Sequence, residues 1–166
     1  YPGGEKECFR PYSEKAVVDF YQRKGFIRVA VRNRVPIVPI VSIGAHETYL
    51  ILSRGEELAE KLGLKKKYRL HGLPITPTGL FMLFCIATGV FTFLPLLLVP
   101  AALAAMVTPL PAKMKFKILK PIPVADLWDK KLSEEENLQK LYDLVIHTIQ
   151  VELSAEYAKR KLPVWG

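Results

Sequence analysis

A glycine-rich turn near the start of the chain is the first feature whose residue types could do chemistry. Two glycines follow Tyr1 and Pro2, and a basic and an acidic residue come shortly after them. Because glycine has no Cβ, a ligand can approach this backbone closely, and successive amides can be aimed at a phosphate or a carbonyl oxygen. The alternative is an ordinary tight turn. We predict that the turn binds substrate through Pro2, Gly3, Gly4, Lys6 and Glu7.

Charged residues further along the chain are the second group of candidates. Arg28 and Arg32 lie one helical turn apart and could meet phosphate groups, although exposed helix arginines are usually only solvated. His46 and Glu47 follow the end of an apolar run, where ligand sites of α/β proteins gather; a structural hydrogen-bonding role is the alternative. We predict substrate contacts from Arg28, His46 and Glu47, and no metal site.

The hydrophobic pattern predicts the elements that position these residues. Phe26 to Asn33 has the spacing of a helix, and Gly55 to Leu62 that of a shorter one. The run from Pro36 to Ile43 is almost continuously apolar, which is typical of a strand covered on both faces. Pro39 lies inside this run and cannot donate a hydrogen bond, so we expect it at a bulge or an unpaired position.

The last third of the chain predicts one strand and one long helix. Lysines alternate with apolar residues from Lys113 to Leu119, which indicates a half-buried strand with a basic outer face. A capping box, Ser133 with Glu136, opens a helix that ends at about Lys161. Together the elements indicate an α/β fold with too few strands for a complete sheet.

An uncharged run separates these two parts of the chain. The 41 residues from Gly72 to Ala112 carry no formal charge, and the segments on either side are basic. About 20 apolar residues suffice to cross a bilayer. However, basic flanks favour the cytoplasmic side for both ends of the run, and a single span would prevent the two strands from sharing a sheet.

Two prolines divide the uncharged run further. Pro95 and Pro100 break helices, which leaves Leu80–Leu94 and roughly residues 101–107 as pieces too short to span a bilayer. We therefore expect a re-entrant or interfacial helical insertion at 72–112; the alternative is a buried insertion that covers the domain's own core. The predicted membrane contacts are Lys65, Lys66, Lys67, Arg69, Leu94 and Pro95.

Composition narrows the class of protein. The chain has 166 residues, a net charge of +8 and 50% hydrophobic residues, which is the length of about one domain with ample material for a core. Two cysteines do not make a disulfide framework, and a reducing compartment is expected. The lysine cluster has little aromatic interleaving and no recognition motif, so nucleic acid is not an expected partner.

Several segments in a fixed order carry a resemblance to a known family. Those that resemble the glycerolipid acyltransferase superfamily are Arg23–Ala30, Val35–Pro39 and Ser42–Glu47. Within it, Tyr1–Gly4 with Glu7 resembles the branch that contains the type-two diacylglycerol acyltransferases, and Pro109 to Ile122 is similar to their closing segment. The resemblance implies a mixed α/β sheet flanked by helices, of which this chain forms the later half. It divides the chain into a core part at 1–71, the apolar insertion at 72–112, and a closing strand and helix at 113–166.

The same resemblance implies an acyl-CoA-dependent O-acyltransferase at the cytoplasmic face of a membrane. Its general base is a histidine paired with an acid, which deprotonates the hydroxyl of a lipid acceptor; acyl-CoA is the co-substrate, and no cofactor is needed. In family order that unit precedes the Pro-Gly-Gly turn. We therefore expect it upstream, in an N-terminal half that acts as partner, and we expect this chain alone to be inactive. A non-catalytic lipid-binding or regulatory module is the alternative function.

The histidines of this chain do not supply the expected pair. The resemblance implies, for most members of the family, an aspartate five positions after the histidine, and neither His46 nor His71 has an acid at that spacing. His147 is followed by Glu152, but five residues along a helix rotate the side chain by about 140°, onto a different face. We therefore predict no catalytic residue in the chain.

Two departures from the family pattern concern the acceptor and the packing. Phosphate-accepting members carry a Glu and an Arg in the turn where this chain has Gly3 and Lys6, which favours a neutral acceptor over lysophosphatidic acid. Arg34 stands where the diacylglycerol branch usually has a small residue, which puts the usual helix–strand packing at this point in question.

Overall fold

The computed structural model describes residues 2–4, 7, 9–68, 72–88 and 110–161. Contacts divide the chain into two units. The sheet unit consists of Tyr1–Glu7, Ala16–Gly44 and Lys113–Gly166, and the helical unit of Cys8–Lys15 and Ala45–Ala112. The domain boundaries predicted at residues 71 and 112 stay predictions. The larger mixed sheet also stays a prediction.

The elements follow one another in an order that agrees with most of the sequence pattern. They are a 3-10 turn at Tyr12–Glu14, α1 (Gly25–Arg32), β1 (Ile40–Ile43), α2 (Ala45–Thr48), α3 (Glu56–Lys61), α4 (Leu64–Tyr68), α5 (Pro77–Ala87), β2 (Lys115–Ile118) and α6 (Glu134–Lys159). The helices predicted at 26–33, 55–62 and 133–161 and both strands are confirmed, with bounds that differ by a few residues.

Strands β1 and β2 of the sheet unit pair antiparallel. The register places Ile40 opposite Ile118, Val41 opposite Lys117, Ser42 opposite Phe116 and Ile43 opposite Lys115. An isolated pairing of Ile37 with Ile122 continues the ladder through hydrogen bonds of 2.9 and 2.7 Å. Pro39 lies between the two pairings, where its carbonyl accepts from the Leu119 amide at 2.9 Å. Pro39 belongs to neither pairing, so the prediction of a bulge or an unpaired position is confirmed.

Helices α1 and α6 form the main core of the sheet unit. The predicted capping box opens α6: Ser133 Oγ accepts from the Glu136 amide at 3.3 Å, and the Glu136 carboxylate accepts from the Ser133 amide at 2.8 Å. This satisfies two of the amides that a helix start leaves without partners. The buried side chains that pack together are Ile27, Ala30, Ile122, Val124, Leu138, Leu141, Tyr142 and Val145.

The facing of strand β2 is the reverse of what its lysine pattern predicts. Lys115 and Lys117 form ion pairs with Glu156 and Glu152 of α6, whereas Ile118 is 70% exposed. The predicted basic outer face is therefore wrong. The carboxylates on α6 attract the lysines through charge-assisted hydrogen bonds, and this turns the apolar side chains of the strand to the other face.

Strand β1 is covered on one face and not on both, which corrects the prediction made from its apolar run. Val41 and Ile43 are buried against Leu153 of α6, whereas Ile40 is exposed. Neighbouring residues of a strand point to opposite faces, so the exposed residues of both strands share one surface. This surface, the outer sheet face, comprises Val38, Ile40, Met114, Phe116 and Ile118.

The turn that ends α1 gives Arg34 an unusual backbone conformation. Its φ of 51° lies in the left-handed region. The Arg34 amide donates to the Val31 carbonyl at 3.1 Å, and the Val35 amide donates to the Ala30 carbonyl at 3.0 Å. This pattern is a Schellman motif, whose left-handed position usually holds glycine. Arg34 therefore affects the backbone turn that ends α1. Its side chain is exposed and does not take part in packing between the helix and the strand.

The helical unit is built from short helices joined by turns. A backbone pairing of Ser53 with Ile75 ties two of its segments together. Gly55, just before α3, has a φ of 59°, and a Cβ there would overlap the Leu73 carbonyl oxygen. Lys65, Lys66 and Lys67 of α4 are exposed.

Helix α5 begins the predicted apolar insertion and carries no charged residue. Phe81 is 67% exposed, and Leu80 and Phe84 are also exposed, while Cys85 is buried. Within the described ranges, no helix is both long and apolar enough to cross a bilayer. The predicted contacts Arg69, Leu94 and Pro95 and the predicted piece at 101–107 lie outside the described residues.

Candidate functional site

The predicted glycine turn lies in the sheet unit, where close contacts within the chain require both glycines. Gly4 has a φ of 61°, and a Cβ there would lie 2.5 Å from Arg23 Nη1. A Cβ on Gly3 would overlap Glu7 Oε2. The Gly4 carbonyl also accepts a hydrogen bond from the Glu7 amide at 3.1 Å. Larger residues at either position would displace Arg23 or Glu7.

Arg23 donates hydrogen bonds to two carbonyl groups of this turn. Its Nη1 lies 3.2 Å from the Pro2 carbonyl oxygen and 3.0 Å from the Gly3 carbonyl oxygen. The sequence pattern does not indicate this role of Arg23, because about 20 residues separate it from the turn and no spacing rule relates the two. The structure thus brings Pro2, Gly3, Gly4 and Glu7 together, while Lys6 lies outside the described residues.

Arg28 has an ion-pair partner on the surface of the sheet unit. Its Nε lies 3.2 Å from Glu134 Oε1, and Lys24 Nζ lies 2.5 Å from Glu135 Oε1. These pairs join α1 to the first turn of α6. Exposed ion pairs contribute only about 0–1 kcal/mol, so Arg28 could exchange Glu134 for a phosphate group at little cost.

His46 and Glu47 lie on α2 in the helical unit. Glu47 is buried, and its Oε1 lies 3.8 Å from Lys15 Nζ. Burial, and secondly the positive charge of Arg10, lower the pKa of His46 below 6.5. The imidazole is therefore neutral at pH 7, so one ring nitrogen carries a proton that it can donate and the other can accept a hydrogen bond.

The segment before α2 in this unit supplies two basic residues whose positions the sequence pattern does not predict. Arg10 is 1% exposed, and Lys15 Nζ donates to Tyr12 Oη at 2.7 Å. The Tyr12 amide in turn donates to the Ile51 carbonyl at 2.8 Å, which fastens the segment beside α2. Since these partners are far apart along the chain, local patterns do not indicate their contact with α2.

The two groups of candidate residues offer different chemistry, and each belongs to its own unit. The turn presents backbone groups fixed by Arg23, which suit an oxygen-bearing ligand. The α2 cluster, which comprises Arg10, Lys15, His46 and Glu47, presents a neutral imidazole beside buried charged side chains. Among the residues that the structure describes, no group of three or more His, Cys, Asp or Glu side chains could hold a metal ion.

Comparison with known families decides the class of protein. Residues 1–108 match the model of the diacylglycerol acyltransferase family, which is more than half of the chain. This chain belongs to the diacylglycerol acyltransferase family. The prediction of an acyltransferase family is therefore confirmed, and the matched region contains both the glycine turn and the α2 cluster.

Mycobacterial proteins are similar to this diacylglycerol acyltransferase family member over its whole length. The chain is 29% identical over 167 residues to the uncharacterized protein Rv0502 of Mycobacterium tuberculosis and to the uncharacterized protein Mb0514 of Mycobacterium bovis. It is 26% identical to the uncharacterized protein ML2427 of Mycobacterium leprae. The alignments cover 100% of the chain but only 38–39% of these relatives, so the chain spans about two fifths of their length. No solved structure matches the chain.

One histidine of this family member has an acid five positions on, and the two side chains do not act together. His147 is exposed on α6, whereas Glu152 forms an ion pair with Lys117. The prediction that they occupy different faces of the helix is confirmed. His71 lies outside the described residues.

Proposed function

We propose that this chain forms part of an enzyme that transfers a fatty acyl group from acyl-CoA to a hydroxyl of a glycerolipid or another lipid alcohol at a membrane surface. The observation that carries the proposal is the match of residues 1–108 to the diacylglycerol acyltransferase family. The catalytic histidine–acid unit lies in a segment upstream of these residues. Acyl-CoA is a co-substrate, and the reaction needs no other cofactor.

The reaction requires a base and groups that hold both substrates. The base takes the proton of the acceptor hydroxyl, and the oxygen attacks the thioester carbonyl; the tetrahedral intermediate then expels coenzyme A as a thiolate, which receives the proton. This chain contributes the substrate-binding groups: the glycine turn, Arg28, and His46 with Glu47. Gly3 and Lys6 replace the pair found in phosphate-accepting relatives, which supports a neutral acceptor.

Features of the helical unit support action at a membrane surface. Phe81 and Phe84 of α5 expose aromatic rings, and α4 exposes three lysines, Lys65 to Lys67. An apolar helix together with a lysine cluster suits an interface with anionic lipids. We propose the cytoplasmic leaflet as this surface because it carries such lipids.

A non-catalytic lipid-binding or regulatory module is the second candidate. The observation that favours it is the separation of His147 from Glu152, since Glu152 is held by Lys117. If the polypeptide that contains this chain lacks a histidine–acid unit elsewhere, lipid binding is the function that remains.

An acyl-transfer assay separates the two candidates. The longest natural polypeptide that contains this chain is incubated with radiolabelled acyl-CoA and, in turn, diacylglycerol, a long-chain alcohol or lysophosphatidic acid. We expect ester formation with one of the neutral acceptors and little with lysophosphatidic acid. Lipid binding without ester formation supports the module instead, and ester formation with lysophosphatidic acid alone contradicts the neutral acceptor.

Residues 1–166 alone serve as the matched control in this assay. We expect no ester from them, because the base is proposed to lie upstream. Turnover by the isolated chain would show that it contains its own base, and the proposed position of the catalytic unit would be wrong.

A further inference from the structure

The contact between Arg23 and the glycine turn fixes the direction of two backbone amides. Arg23 Nη1 donates to the carbonyl oxygens of Pro2 and Gly3 at 3.2 and 3.0 Å. The peptide bonds in the described ranges are trans. In a trans peptide, the carbonyl of one residue and the amide of the next point in opposite directions. The amides of Gly3 and Gly4 therefore point away from Arg23.

This arrangement has the properties of a donor site for an oxygen that carries negative charge. Two successive amides directed away from one cation can converge on a single acceptor. Within the part of the chain that the structure describes, neither the Gly3 nor the Gly4 amide donates a hydrogen bond. The guanidinium behind the carbonyls adds a positive potential, which acts against the negative charge of the Glu7 carboxylate beside Gly3.

We propose that Arg23 is a positioning residue that holds the Gly3 and Gly4 amides toward a negatively charged oxygen of acyl-CoA. That oxygen is either a phosphate oxygen or the thioester carbonyl oxygen as it gains charge during the reaction. The choice of acyl-CoA rests on the proposed function, whereas the direction of the amides rests on the hydrogen bonds of Arg23 alone.

Amide NMR of the 15N-labelled chain tests the proposal. The spectrum is followed during titration with inorganic phosphate, coenzyme A and octanoyl-CoA. We expect the Gly3 and Gly4 signals to shift with at least one probe, and the apparent Kd of that shift to rise at least tenfold in Arg23→Gln. A response to phosphate and coenzyme A identifies phosphate oxygens, whereas a response to octanoyl-CoA alone identifies the thioester carbonyl; both support the site.

Two further variants separate positioning from general loss of charge or structure. Lys140→Gln removes another positive charge, exposed on α6, and should leave the apparent Kd unchanged. Arg23→Lys keeps a cationic donor and should recover part of the response. Without any probe, the 15N order parameters of Gly3 and Gly4 should fall in Arg23→Gln and stay at the wild-type level in Lys140→Gln.

Two NMR results would overturn the proposal. One is the absence of glycine amide shifts with all three probes; the other is an equal apparent Kd for Arg23→Gln and the wild type. The transfer assay keeps this separate from the proposed function. If Arg23→Gln forms ester with unchanged kcat and KM, the role of Arg23 is wrong but the proposed acyltransferase function stands. If the glycine amides shift but no ester forms, the proposed function is wrong but the binding site stands.

Discussion

Three lysines surround the carboxylate of Glu156 where β2 packs against α6. Its carboxylate lies 2.5 Å from Lys115 Nζ and 3.0 Å from Lys159 Nζ, and Lys117 Nζ lies 3.6 Å away. Hydrogen bonds from Lys115 and then from Lys159 lower the pKa of Glu156 from 4.5 to about 2. The ionised form of this carboxylate is therefore favoured in the folded chain.

The lowered pKa of Glu156 makes the stability of the fold sensitive to acid. Because the unfolded chain binds the proton more readily, the stabilisation is complete above pH 4.5 and is lost as the pH falls toward 2. We expect Glu156→Gln to lower the urea midpoint at pH 7 and to flatten its decline below pH 4.5. Circular dichroism with urea at several pH values measures both effects. Glu57→Gln, an exposed change on α3, is the control, and equal acid sensitivity of Glu156→Gln and wild type contradicts the prediction.

At the scale of single residues, the sequence predicts local partners better than distant ones. The capping box of Ser133 and Glu136 could be predicted because its partners are three residues apart. Arg23 and Arg10 could not, since their roles depend on segments that folding brings together from far along the chain. The residues of the glycine turn were therefore predictable, but the arginine that orients them was not.

The end of α1 offers a test at the scale of an element. Arg34 has a φ of 51° at a position that usually holds glycine. A left-handed conformation costs a residue with a Cβ roughly 1–2 kcal/mol, and part of the gain from glycine is lost to the greater entropy of its unfolded chain. We expect Arg34→Gly to raise the free energy of unfolding by about 0.5–1 kcal/mol, as measured by urea denaturation.

The neighbouring Arg32 is the matched control for this change. It is the last residue of α1 and has a helical conformation, in which glycine costs up to about 1 kcal/mol, so Arg32→Gly should lower the free energy of unfolding. If Arg34→Gly destabilises the chain as much as Arg32→Gly does, the left-handed turn is not the cause of strain.

The different burial of Ile118 and Val41 predicts that substitutions at these two positions change the free energy of unfolding by different amounts. Ile118 is 70% exposed and Val41 is 1% exposed. Ile118→Thr should change the free energy of unfolding by less than about 0.5 kcal/mol, whereas Val41→Ala should lower it by roughly 2 kcal/mol. Thermal unfolding of the two variants measures the difference. A larger loss from Ile118→Thr than from Val41→Ala would mean that the lysine face is the outer one.

The alternation in β2 could predict a strand but not which of its faces is covered. A period of two separates side chains into two sets, and the covered set is decided by the element that packs on it. Helix α6 presents Glu152 and Glu156 there, so the lysines lie on the face toward α6, although their side chains stay 58% and 41% exposed. Hydrophobicity alone therefore predicted the strand correctly and its facing wrongly.

Binding to lipid is a prediction for the molecule as a whole. Each exposed lysine near an anionic surface contributes about 1 kcal/mol, so replacing Lys65, Lys66 and Lys67 with Gln should weaken binding to phosphatidylserine vesicles about a hundredfold. Sedimentation with vesicles at low salt measures this. The same triple change at Lys130, Lys131 and Lys140, which are exposed residues of the sheet unit, is the control. Equal losses from the two triple variants would contradict a specific role for the α4 lysines.

At this scale the order of motifs could be used to predict the family, and the strands at 36–43 and 113–119 were correctly expected to share a sheet. The complete mixed sheet stays a prediction, because the described residues contain only two paired strands. The re-entrant or interfacial insertion also stays a prediction: α5 forms its beginning, and residues 89–109 lie outside the described residues.

The outer sheet face also has a consequence for how the protein behaves at the bench. Added salt screens the lysine–glutamate pairs that hold β2 to α6, and sulfate in particular strengthens the attraction between apolar surfaces. Both effects act on β2. Screening weakens its attachment to α6, and sulfate favours association of its exposed apolar side chains with those of another molecule. Purification buffers of low ionic strength should therefore keep this basic protein in solution longest, and light scattering should rise first as sulfate is added.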